Sequence, residues 1–493
     1  MATKPNILWF CADQMRYDTI ASLGNSEIRT PNIDRLVASG TTFENCYVQN
    51  QICTPSRASF LTGRYPAAHQ VYRNGNSHFP VEEKLITKTF DENGYDCGLV
   101  GKLHLSTAAH LESRPDDGYR HFEWCQNPAW ERVPASNAYW TWLRNKGVDP
   151  KMLFSDAKQY LRIGPEPELH QANWIAERAI SFMEEARSGP WLLSLNPFDP
   201  HPPFDPPERF LARFGDGETL TPPLFRQSDI AHQARFFDVR TQKRVAVNPV
   251  LSPEEKRTQQ IEEGDIRGSK PPDRFDGKKV KAAYYAMIEN LDAAFGRILD
   301  HLENTGAIDN TVIIFTSDHG ELLGDHGLIY KGCRFFEGLV RVPLIFAGKG
   351  IGKGHRSRAM VETIDIAPTL LDLVGLDISP AIQGKSLGPL MTGKSIPDTH
   401  KDCVVTDFND SLGNSAVTHY TQASMTCDGR YKLAVYHSHP GLGELFDLHE
   451  DPDEFVCRWN DPAYASLKSD LLARHLDRMM GTVPAGPERV APA

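Results

Sequence analysis

The sequence predicts an α/β fold: a large sheet covered by helices on both faces, followed by a smaller antiparallel sheet packed with a C-terminal helix. Three observations lead there. Short continuous apolar runs rich in β-branched and aromatic residues recur along the chain, amphipathic segments lie between them, and after about Pro397 the pattern changes to short alternating runs. Continuous apolar runs suit strands buried on both faces, and strands alternating with helices suit a layered α/β sheet.

The first run, "NILWFCA" from Asn6, is broken by Asp13 and preceded by a single lysine. At roughly seven residues it is too short for a secretory signal and reads as a strand. In "CTPSRASFLTG", Pro55 suits a first helical turn and Gly63 a stop, so a helix begins at or just after Cys53. Further strands are "DCGLVG" from Asp96, "WLLSLN" from Trp191, "TVIIFTS" from Thr311 and "VPLIFAG" from Val342. Between residues 205 and 279 the composition turns to Pro and charged residues, which reads as a long excursion or lid that shapes substrate choice. The clearest helix comes next, with Ile288, Leu291, Phe295, Ile298 and Leu302 on one face and Gly306 at its end. "CVVTDF", "ASMTCDGRYKLAVY" and "GELFDL" read as the small antiparallel sheet, and "LKSDLLARHLDRMM" as its helix. The division is therefore an α/β unit at 1–397 and a C-terminal α+β unit at 398–493.

A net charge of -11 opposes association with nucleic acid or an anionic membrane surface, so any anionic ligand must be met by a local cluster of Lys and Arg. No segment approaches the ~18 consecutive apolar residues of a membrane helix. Nine cysteines, an odd number with no C-x-x-C spacing, suggest neither a disulfide framework nor structural zinc. The expected location is cytoplasmic. All the cysteines except Cys53 read as small buried hydrophobes.

The residues just beyond each strand are more informative. The runs end in Asp13 and Gln14, in Lys102 and His104, in a Pro-rich turn carrying His201, and in Asp318 and His319. Ligands of open α/β sheets bind beyond the carboxyl ends of the strands, so these side chains would converge. Cys53 at a helix N-terminus would meet free N–H groups and the positive end of the dipole, which also favour an oxyanion. Arg57 adds a cation one turn on, and the plain inference is a thiolate nucleophile of lowered pKa.

"CTPSRASFLTG" resembles the C-x-P-S-R-x-x-x-L-T-G signature of the sulfatases, a branch of the alkaline phosphatase superfamily. The resemblance extends from "PNILWFCADQ" through "GKLHL" and "SDHGELLGDHG" to "ELFDLHEDPDEF", while the middle matches no named pattern. It implies an alkaline phosphatase-like fold with a large mixed sheet. It also implies that a formylglycine-generating enzyme oxidises Cys53 to formylglycine, whose hydrate attacks sulfur with one hydroxyl and expels sulfate through the second. Asp13, Gln14, Asp318 and His319 match the family's metal ligands, with modified Cys53 as a further one. Ca²⁺ leads on family grounds, with Mn²⁺ or Mg²⁺ as alternatives because Gln14 and His319 reduce the carboxylate count. That pair is similar to the phosphonate monoester hydrolase and choline sulfatase branch.

The resemblance further implies that Lys102 and Lys331 grip sulfate oxygens and that His201 or Lys331 protonates the leaving alcohol. His104 would orient the diol and act as base, Asn74 would contact substrate, and Asp325 and His326 would support a turn. The implied reaction is hydrolysis of a small-molecule or saccharide sulfate monoester. Phosphonate monoester or phosphodiester hydrolysis at the same site is the alternative, and an inactive binding homologue the third reading. A homo-oligomer built through the C-terminal segment is left open.

Overall fold

The computed structural model describes residues 4–107, 112–129, 137–154, 160–239, 245–252, 254–255, 271–392, 398–412, 421–484 and 486. Eight strands form the large sheet: β1 (Asn6–Ala12), β2 (Gly40–Tyr47), β3 (Asp96–Gly101), β4 (His121–Trp124), β5 (Trp191–Asn196), β6 (Thr311–Ser317), β7 (Arg341–Gly348) and β8 (His355–Glu362). Their order is β4-β3-β5-β1-β6-β7-β2-β8. The sheet is mixed: β7 runs antiparallel to β6 and β2, and the other neighbours pair in parallel.

The alternation of side chains along a strand explains why β1 is apolar throughout. Ile7, Trp9 and Cys11 enter a core with Phe60 and Leu61 of α2 (Cys53–Thr62) and Ala367 and Leu370 of α5 (Ile366–Leu373). Leu8, Phe10 and Ala12 enter the opposite core, built with α1 (Pro31–Ser39), α3 (Gln171–Glu184) and α4 (Gly277–Asn304). On α4 the stripe Ile288, Leu291, Phe295, Ile298 and Leu302 is fully buried there. The helix stops just before Gly306, whose φ of 71° suits a residue without a Cβ.

Four antiparallel strands, β9 (Val404–Asn409), β10 (Gln422–Cys427), β11 (Tyr431–Tyr436) and β12 (Gly443–Asp447), make the second sheet in the order β12-β11-β10-β9. Phe408, Met425 and Tyr436 join the core under α2, and β9 is tied to the segment before α2 by Asp407 N–H to Gln49 O at 2.9 Å. Leu471 of α6 (Ala465–Thr482) packs on Leu433 and Leu445.

β2, β4 and β8 were not legible as strands, yet β2 and β8 complete one side of the sheet. Within 205–279, residues 240–244, 253 and 256–270 lie outside the described residues, as do residues 393–397, at whose end the expected boundary falls. The described part of that excursion is anchored by core residues, Phe214, Leu220 and Phe275 on one face and Phe236 and Val239 on the other. No helix among the described residues is long and apolar enough to cross a membrane.

Candidate functional site

Because β1, β3, β5 and β6 are parallel neighbours, their C-terminal ends deliver Asp13 and Gln14, Lys102 and His104, the turn bearing His201, and Asp318 and His319 to one edge. α2 points its first residue, Cys53, at the same place. The helix is held there by burial of all its residues and by Ser56 Oγ, which donates to Asp318 O at 2.5 Å. Gly63 closes it with φ 70°. Asn74 Oδ1 accepts from Thr54 N–H at 2.9 Å, capping one of the free donors of the first turn.

Cys53 Sγ lies 3.1 Å from His319 Nε2, 2.9 Å from Lys331 Nζ and 3.8 Å from Asp13 Oδ1. Lys331 Nζ also donates to Gln14 Oε1 at 2.9 Å and sits 3.2 Å from His319 Nε2. Lys102 Nζ pairs with Asp13 Oδ2 at 2.6 Å. Arg57 pairs with Asp318 Oδ2 at 2.9 Å, with a second bond to Lys102 O at 3.2 Å. His201 donates from Nδ1 to Pro202 O at 2.6 Å, and its Nε2 meets Tyr330 Oη at 3.2 Å. His104 and His201, each 8% exposed, line the accessible side of a site whose other groups are nearly dry.

The electrostatics follow from burial and crowding. Burial raises the Cys53 thiol, but Lys102 and Lys331 outweigh it and the thiol is lowered from its ordinary 9.0. Asp13 is pushed up to about 6 by burial and by the charge of Asp318. Asp318 goes the other way: burial opposes its charge, yet Arg57, His319 and Lys102 hold it well below the usual carboxylate range. Burial and neighbouring cations, Lys102 for His104 and Lys331 for His201, lower both imidazoles well below 6.5.

Asp13, Cys53, Asp318 and His319 bring one donor atom each to within 4.8 Å of one another. His319 gives Nδ1–H to Gly320 O at 2.8 Å, which leaves the Nε2 lone pair facing the group. Two carboxylates, an imidazole lone pair and the Gln14 carbonyl fit a divalent cation. In this structure the Lys331 ammonium stands among the same donors.

Several residues in supporting positions carried no assignment from the sequence. Glu112 accepts the backbone N–H groups of His104 and Ser106 at 2.9 and 3.2 Å and fixes that loop. Glu321, inside the "SDHGE" stretch, bonds to Gln14 Nε2. Tyr330 precedes Lys331 with φ 75°. Asp325 and His326, expected to support a turn, lie in the short 3-10 turn Asp325–Gly327, where Asp325 pairs with Arg16 at 2.8 Å and the His326 ring stacks on Phe336 at 3.8 Å.

Comparison with known proteins adds two family models: Sulfatase matches residues 5–376, and the C-terminal part of N-sulphoglucosamine sulphohydrolase matches residues 324–480. An arylsulfatase of Clostridium perfringens is 31% identical over 94% of this chain and 91% of its own. A choline-sulfatase of Rhizobium meliloti is 28% identical over 96% of this chain and 87% of its own. The crystal structure of the phosphonate monoester hydrolase of Agrobacterium radiobacter superposes with a TM-score of 0.77 at 25% identity, covering 97% of this chain and 96% of that one.

Proposed function

The chain belongs to the sulfatase family of sulfuric ester hydrolases, and we propose that it cleaves the S–O bond of a sulfate monoester at residue 53 once Cys53 has become formylglycine. The observation that carries this reading is the placement of Cys53: first residue of a buried helix, 2.9 Å from the Lys331 ammonium and 3.1 Å from His319 Nε2. Hydrated, the aldehyde would offer one hydroxyl to attack sulfur; deprotonation of the second would break the C–O bond to the sulfuryl group, expel sulfate and regenerate the aldehyde, which water rehydrates. A divalent cation held by Asp13, Gln14, Asp318, His319 and residue 53 supplies charge stabilisation for the sulfuryl oxygens. We assign Ca²⁺ to it on the family resemblance, ahead of Mn²⁺ or Mg²⁺, which the His319 imidazole and the Gln14 amide suit better than a site of carboxylates alone would.

The remaining chemistry belongs to side chains already in place. Lys102 and Lys331 present ammonium groups to the ester's oxyanion, and Arg57 keeps Asp318 ionised and oriented. His104, neutral in its cationic surroundings, suits the role of base. Protonation of the leaving alcohol falls to Lys331, or to His201 once it has taken up a proton at Nε2, the ring atom beside Tyr330 Oη. Asn74, already bonded to the first turn of α2, borders the substrate's path.

The substrate is a small-molecule or saccharide sulfate, and maturation calls for a formylglycine-generating enzyme. All nine cysteines are free thiols, which suits a reducing, cytoplasmic compartment. The second reading, phosphonate monoester or phosphodiester hydrolysis, is favoured by the Agrobacterium superposition and by Gln14 and His319 in the ligand group. The test is mass spectrometry of the Cys53 peptide from protein matured in a competent host, with rates on 4-nitrophenyl sulfate and 4-nitrophenyl phenylphosphonate. Loss of sulfur, an aldehyde trapped by hydrazide and faster sulfate turnover are expected. Full activity with an unmodified thiol would overturn the mechanism, and faster phosphonate turnover would favour the second reading.

A further inference from the structure

The two ends of a glutamine side chain are nearly the same size, so its partners decide which end faces where. For Gln14 those partners are unambiguous. Lys331 Nζ, which can only donate, lies 2.9 Å from Oε1, which leaves the Nε2 end to donate to Glu321 Oε2. Reversing the amide would set NH₂ against an ammonium and C=O against a carboxylate.

The backbone of Gln14 is equally fixed. Its φ is 70°, unusual for a residue with a side chain, its N–H donates to Asp318 Oδ1 at 3.0 Å, and its carbonyl accepts from Tyr284 Oη at 2.7 Å. Glu321 cannot swing away either. It is fully buried, Oε1 accepts from the N–H groups of Leu323 at 3.1 Å and of Tyr330, and its carbonyl accepts from Arg16 Nη1 at 2.8 Å.

We infer that Glu321 is a positioning residue that aims the Gln14 carbonyl oxygen at the group formed by Asp13, Cys53, Asp318 and His319. A neutral amide at position 14 then serves as an oxygen donor only because a carboxylate behind it holds the NH₂ end. The inference rests on the metal-dependent reading above and assigns to Glu321 part of the site's affinity for a divalent cation. Partners behind a ligand contribute about 10- to 100-fold to metal affinity.

The test is Mn²⁺ affinity by electron paramagnetic resonance on matured wild type, Glu321→Gln, Gln14→Glu and the exchange Gln14→Glu/Glu321→Gln. In Glu321→Gln the introduced amide's oxygen can still accept from Leu323 and Tyr330, so the turn keeps its bonds, but the amide of Gln14 loses its orientation. The expected result is an affinity reduced about 10- to 100-fold in Glu321→Gln, with turnover returning at saturating Mn²⁺ and KM unchanged. The exchange variant, with the carboxylate at 14 and the donor at 321, should recover affinity. Wild-type affinity in Glu321→Gln, or an exchange variant no better than Glu321→Gln, would overturn the inference while leaving the metal-dependent reading intact. Absence of Mn²⁺ binding by wild type would overturn both. If Glu321→Gln fails to fold, a folded, metal-binding exchange variant supports the pairing, and an unfolded one shows that Glu321 merely holds the turn.

Discussion

Arg57→Ala separates the role of the arginine in holding the site together from its role in turnover. Its guanidinium is 1% exposed and lies 2.9 Å from Asp318, itself fully buried, with further bonds to Lys102 O at 3.2 Å and Asn196 Oδ1 at 3.4 Å. Truncation leaves a dry carboxylate and a carbonyl without their donor. Removing one partner of a buried pair costs about 3–5 kcal/mol. Lys102 and His319 still act on Asp318, which places the loss near the low end, about 3 kcal/mol in chelator.

Saturating Ca²⁺ at Asp318 would supply part of the lost charge, so the loss should shrink when the metal is present. Urea unfolding of wild type and variant at pH 7, with EDTA and with Ca²⁺, measures both numbers. Acid titration gives an independent sign. The Asp318 pKa is depressed, so its contribution to stability is present above the unfolded carboxylate value near 4 and is lost as pH falls. Arg57→Ala should therefore lose less stability on acidification than wild type. A loss below about 1 kcal/mol in chelator, or one equal with and without Ca²⁺, would refute the pairing as the source of order in the site.

Cys53→Ala should abolish turnover while leaving the circular dichroism spectrum and cooperative unfolding intact, and wild-type rates in that variant would exclude residue 53 as the nucleophile's source. His201→Asn, if His201 is the acid, should slow an alkyl sulfate by about 10²–10⁴-fold and barely touch 4-nitrophenyl sulfate, whose leaving group needs no proton. The same pattern in Lys331→Ala alone would move the role there. Asp13 is raised from 3.8 to about 6, so the folded state binds its proton in that window and chelated protein should lose stability as pH rises through it. Asp13→Asn should flatten this part of the pH–stability curve in denaturant titrations, and an unchanged slope would show that other buried acids set it.

In the large sheet, the strands legible in the sequence are the ones that must be apolar on both faces: β1, β3, β5, β6 and most of β7. β2, "GTTFENCY", carries Glu44 and Asn45 at its half-buried positions, and β8, "HRSRAMVE", is an edge strand with Arg356 and Arg358 exposed. Neither makes a continuous apolar run, so periodicity alone misses them. The convergence of Asp13, Lys102, His201 and Asp318 could be read because parallel strands place their carboxyl ends together. Which cation meets which anion could not. Arg57 reads as a neighbour of Cys53, one turn along its helix, but its guanidinium reaches the end of β6 instead. Glu321 stands two residues beyond His319, and only the folded turn shows that its carboxylate faces Gln14.

The charge arrangement explains how a chain of net charge -11 attracts an anion. Lys102, Lys331 and Arg57 are all buried within hydrogen-bonding reach of Asp13, Asp318 or residue 53, so three cations meet two carboxylates in direct contact around residue 53, with Glu321 set behind Gln14. A bound divalent cation would increase that excess, and the dry surroundings make each contact stronger than at the surface. Sulfate monoesters and phosphonate monoesters both offer a singly charged tetrahedral group, so this excess alone favours neither. Discrimination must come from placement. Lys102 is pinned by Asp13 at 2.6 Å and cannot follow a shifted oxygen, whereas Asn74, half-buried and anchored to Thr54, is the residue proposed to border the departing alcohol. Lys102 should therefore set the rate on the common oxyanion, and the surroundings of Asn74 the choice of alcohol.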